Sequence, residues 1–237
     1  MSPVDRFIAS LPHFSGEQVD ALANELPDGH VLRPTIAAIL CRRRHLAGSA
    51  SDDEVLSAID RALELPKTPI EARITLLNIA ARTRRDADGG QTLQRYITAI
   101  RELIRPDLCL SLRAIPLRLG LNQAVLQREA GRSTELLAEA DRLLAGHEGS
   151  DLWLEFRIHH LEKRHEQHHY VGIEPFFTQL KPWNDKLSRQ VLDRPLDDWE
   201  GLCLAGAGRV REAEAFIQSS AGRGLGWSIN PLLVLLG

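Results

Sequence analysis

The sequence is poor in residues that cross-link, anchor or attack. Its cysteines, Cys41, Cys109 and Cys203, are odd in number and far apart. That excludes a complete disulfide framework and a Cys-x-x-Cys zinc knuckle, and it points to a reducing compartment. Aromatic residues are only 5%, and the Val, Ile, Thr and Tyr runs that build strands are missing. Lysine is confined to Lys67, Lys163, Lys181 and Lys186, so arginine carries the positive charge, which reads first as a genomic bias. The net charge of −3 supplies no global positive field to draw the chain onto nucleic acid. The longest strongly apolar run, Pro231 to Leu236, falls far short of the roughly 20 residues that span a bilayer. The opening residues, Met1 to Ser10, lack a basic region followed by an apolar stretch of signal-peptide length. A soluble, cytoplasmic protein is the expectation. No Walker loop, dinucleotide fingerprint or nucleophile elbow is present. Gly222-Arg-Gly-Leu-Gly226 looks like a phosphate loop only superficially, because no strand precedes it.

What remains is helix-forming. Hydrophobic residues are 43% of 237, enough for a real core, and Leu, Ala and Arg dominate. Two stretches share the pattern Gly-Arg-x-x-Glu before an apolar helix, at Gly131 and at Gly208. Related turn anchors fall at Gly48, Gly90 and Tyr170, so the chain repeats with a drifting period of about 40 residues, the mark of stacked helix pairs. The first helices of the pairs are expected at Thr35–His45, Ala72–Arg84, Leu117–Ala130, Leu152–His168 and Asp198–Ala207. The second helices carry one apolar face each, as in Val55, Ile59, Ala62 and Leu63, or Leu93, Tyr96, Ile97, Ile100 and Leu103. Ser51-Asp-Asp-Glu54 is a capping box. Pro116 either opens a helix at its first position or kinks a longer one running from Leu108. Ser15-Gly-Glu-Gln18 starts a further helix. The expected architecture is all-α: a right-handed α–α solenoid of about five helix pairs. It forms a single domain with a cap at 1–30, repeats at 31–221 and a C-terminal helix at 222–237. That last segment ends without a polar tail, so it reads as a closing helix or as a cut in a longer protein.

At these positions the chain resembles the tetratricopeptide repeat. Ala124, Gly131 and Leu136 in one unit, and Gly201, Gly208 and Ala213 in another, match its small residue, turn glycine and following small or apolar residue. The resemblance implies a non-enzymatic protein-binding scaffold without a cofactor, taking a peptide or helix of a partner protein on its concave face.

Two constellations invite a chemical reading. His165-Glu166-Gln167-His168-His169 fits H-E-x-x-H, in which His165 and His169 share a helix face to hold zinc and Glu166 activates a water. Lys163 and Arg164 flank it, however, and no third ligand is anchored, so no metal site is expected and His165 reads as a packing residue. Five histidines fall between His159 and His169, where joint protonation would add charge near pH 6.5. The second constellation is a recurrence of basic residues at the ends of the first helices: Arg42, Arg43 and Arg44; Arg82, Arg84 and Arg85; Arg128 with Arg132; Lys163 and Arg164; Arg209 and Arg211. Such cations suit helix C-termini. Aligned by a solenoid, Arg42, Arg43, Arg82, Arg85, Arg128, Arg132, Arg164 and Arg209 would form a basic binding edge for an acidic protein segment. Aromatic side chains are not interleaved with them, which disfavours nucleic acid. Trp153, Trp183, Trp199 and Trp227 read as packing residues. The rival functions are a regulatory or substrate-presenting segment of a larger enzyme or transcription regulator, a zinc hydrolase using His165, Glu166 and His169, and a nucleic-acid binder.

Overall fold

The computed structural model describes residues 16–27, 29–84, 90–166, 170, 174–183 and 196–221, and every regular element among them is a helix. The chain divides into two compact units, Met1–Leu143 and Leu144–Gly237. The first holds α1 (Gly16–Glu25), α2 (Arg33–Leu46), α3 (Asp52–Leu63), α4 (Ile70–Thr83), α5 (Gln91–Leu103), α6 (Leu110–Arg113), α7 (Ile115–Leu126) and α8 (Ala130–Leu143). Here α2 packs on α3, α4 on α5 and α7 on α8, while α1 lies against α2. Successive pairs join in two ways. The second helix of one pair meets the first helix of the next (α3 with α4, α5 with α7), and the first helices touch each other (α2 with α4, α4 with α7).

That arrangement explains why first and second helices read so differently in sequence. The second helices bury one stripe: Val55, Leu56, Ile59 and Ala62 in α3, and Leu93, Ile97 and Ile100 in α5. First helices are pressed from several sides. Helix α4 sends Ala72 into a cluster with Val19, Leu32, Ile36 and Ile39, and it sends Leu76 and Ala80 into another with Val55 and Ile59. Its Ile74 and Ala81 enter a third cluster with Leu93, Ile97, Ile100 and Leu119. Each fully buried aliphatic side chain of this kind stabilises by about 1.5–3 kcal/mol.

Local signals fix the helix ends. The Ser51 backbone N–H donates to Glu54 Oε2 at 2.7 Å, and the Glu54 N–H donates to Ser51 Oγ at 3.3 Å, completing the capping box. At the other end of α3, buried Thr68 donates its hydroxyl to the Ala62 carbonyl at 2.8 Å. Pro116 has no N–H for the preceding turn, and the first helix of the third pair is accordingly broken at Ala114 into α6 and α7, with Pro116 in the opening turn of α7.

One turn recurs at equal intervals. Gly48, Arg128 and Gly208 all take left-handed φ, at 75°, 56° and 73°. In each case their own N–H bonds three residues back, to His45, Val125 and Ala205, and the following N–H bonds five back, to Arg44, Ala124 and Leu204. These are Schellman endings. They correct the sequence reading in the third pair: Gly131 does not form the turn but lies in the first turn of α8, and Arg128 takes the position held elsewhere by glycine. The first helix there ends at Leu126 rather than Ala130. Gly90, also left-handed, sits at the start of α5 rather than at the end of α4.

The second unit contains α9 (Asp151–Glu166), α10 (Glu174–Leu180), a 3-10 turn at Lys181–Trp183, α11 (Leu196–Gly206) and α12 (Val210–Ala221). Trp153, Leu154, Phe156, Ile158 and Leu161 of α9 are buried, as are Phe176, Phe177 and Leu180 of α10. The Arg157 guanidinium lies over the Trp153 ring at 5.0 Å and the Phe176 ring at 5.8 Å, a cation–π sandwich. Trp183 is half-buried and faces Gly149, where its indole leaves no room for a Cβ. Helix α11 packs on α12 and on α10. The Trp199 side chain, Trp227 and the segment 222–237 lie outside the described residues.

Candidate functional site

Arg42 of α2 and Asn122 of α7 each precede a Schellman ending by six residues, at Gly48 and Arg128, and Arg82 of α4 falls midway between them in sequence. All three line one cavity of about 770 Å³. Leu56, Ala81, Leu93 and Leu119 contribute the buried floor. Arg84 extends the cationic wall, Thr92 stands at the start of α5, and Asp52 and Asp53 enter from the start of α3. Asp52 is engaged by His45, whose Nε2 lies 3.3 Å from Oδ1 and whose Nδ1 lies 3.1 Å from the Ala50 carbonyl. Asp53 also faces a neighbouring cavity that holds Arg44 and Arg61. Arg42 and Asn122 make no hydrogen bond or ion pair among the described residues.

The other basic residues singled out in the sequence have separate settings. Arg43 lines a cavity beside Asp20 and Leu40. Arg128 is exposed at its left-handed turn. Arg132 donates to Gln94 Oε1 at 2.7 Å, with Glu129 at 3.7 Å. Arg209 donates to Glu212 Oε1 at 2.7 Å and also to Glu174. Those bonds raise the Arg209 pKa, the Glu212 hydrogen bond most, and hold the Glu212 carboxyl below its usual range. Arg164 is half-buried in α9, and Arg85 lies outside the described residues. The geometry therefore gathers Arg42 and Arg82 with Arg84. Sequence reasoning missed Asn122, Asp52, Asp53 and Thr92 as companions; Asn122 stands as far from Arg42 as Arg128 does from Gly48, and that spacing would have found it.

Of the H-E-x-x-H stretch, His165 and Glu166 end α9 with side chains that are not described, and His169 lies outside the described residues. Among the described residues, no group of three or more His, Cys, Asp or Glu side chains gathers to hold a metal ion. His159 pairs with Glu162 at 3.0 Å, and the His160 ring lies 6.2 Å from Phe176. Burial pushes the Cys203 thiol up to about 12, with the Glu200 charge adding to it, so it remains protonated and a poor nucleophile at neutral pH. No helix among the described residues is long and apolar enough to cross a membrane. Comparison with protein-family models, curated proteins and solved structures returned no match.

Proposed function

We propose that the chain is a non-enzymatic helical-repeat scaffold, a tetratricopeptide-like α–α solenoid of about five pairs, that binds a segment of a partner protein. The observation that carries this reading is the cavity lined by Arg42, Arg82 and Asn122, one residue from each of three successive first helices. Stacked pairs put equivalent positions side by side, so a surface built from one position of the repeat extends over several helices, a suitable bed for an extended or helical peptide. The packing of first helices on first helices supports it. So does the Schellman ending that returns at Gly48, Arg128 and Gly208. Complementary contact and charge steering suffice for such a role, with no bond made or broken.

Selection of displayed random peptides on the purified chain tests the reading. Enriched peptides should bind and should protect the backbone amides near Arg42, Asp52, Arg82 and Leu93 from hydrogen exchange. A selection that enriches nothing, or protection confined to other helices, counts against it.

A further inference from the structure

We draw no further inference here: the strongest candidate, the groove between α2 and α3 lined by buried Cys41, carries nothing because Arg44 and Arg61 are offset there by Asp53 and Glu54, and nothing in the structure shows what covers a lone thiol.

Discussion

Helices α3 and α5 hold the same place in successive pairs, yet they begin by different means. The start of α3 is self-contained: Ser51 and Glu54 satisfy each other's backbone N–H groups within four residues of chain. The start of α5 is held from the next pair. Gly90 has a φ of 94° and no side-chain cap, and its carbonyl accepts a hydrogen bond at 3.1 Å from Gln123 of α7, a residue only 2% exposed. A Cβ at Gly90 would lie 3.2 Å from the Gln127 amide nitrogen. One start depends on local chemistry; the other depends on the third pair being in position. Disturbing the first should cost only an end of a helix, whereas disturbing the second should loosen one pair from its neighbour.

Gly90→Val should have the largest effect. A β-branched residue at positive φ, against a tightly placed amide, should destabilise by about 2–3 kcal/mol, read from urea unfolding. If it costs no more than the loss of the α3 cap, the proposed dependence of α5 on its neighbour is wrong. Gln123→Leu comes next, at about 1–2 kcal/mol. The Gly90 carbonyl keeps the Gln94 N–H at 3.0 Å, so it is not stranded, but the bond between pairs is gone. Hydrogen exchange should then rise in α5 and α7 together, while exchange confined to α7 would argue against coupling.

Ser51→Ala should cost about 1 kcal/mol, with faster exchange limited to the first turn of α3. Its pH dependence has a definite sign. The Ser51 backbone N–H and then the Ser51 hydroxyl hold the Glu54 carboxyl below its ordinary value of 4.5. A depressed carboxylate contributes stability that is present above that value and lost as pH falls through the lowered one. The gap between parent and Ser51→Ala in thermal midpoint should therefore shrink below pH 4.5, because only the parent has the side-chain part of that bond to lose. A gap unchanged by acid would remove Glu54 from the account.

The same contrast governs what could be read from sequence. The Ser51 to Glu54 capping box and the single stripes of α3 and α5 are local patterns, and the helices form where those patterns lie. Helix α4 has no such stripe because Ala72, Leu76 and Ile74 serve three different clusters; its place comes from its neighbours. The cavity was half legible. Arg42 and Arg82 stood out by charge, but Asn122 is neutral and was hidden because Gly131 drew the repeat out of register by three residues. A glycine marks a turn only if positive φ is needed there, and in the third pair Arg128 supplies it.

That substitution of arginine for glycine gives the smallest and most discriminating test. Arg128 holds a φ of 56°, where a side chain with a Cβ is disfavoured by about 1–2 kcal/mol, and glycine would remove that strain while adding about 0.5–1 kcal/mol of unfolded-chain freedom. Arg128→Gly should therefore stabilise by a few tenths of a kcal/mol up to about 1. Gly131 is in the opposite situation, with helical backbone and nothing within 4 Å of a Cβ built there. Gly131→Ala should add a similar small gain, and the double variant, which moves the glycine into the turn, should show the sum. At Gly48 and Gly208, which already fill this position, replacement by Ala should move stability the other way. If Arg128→Gly destabilises while Gly48→Ala and Gly208→Ala also do, the arginine side chain is contributing contacts at the turn, and the three endings are alike in backbone only.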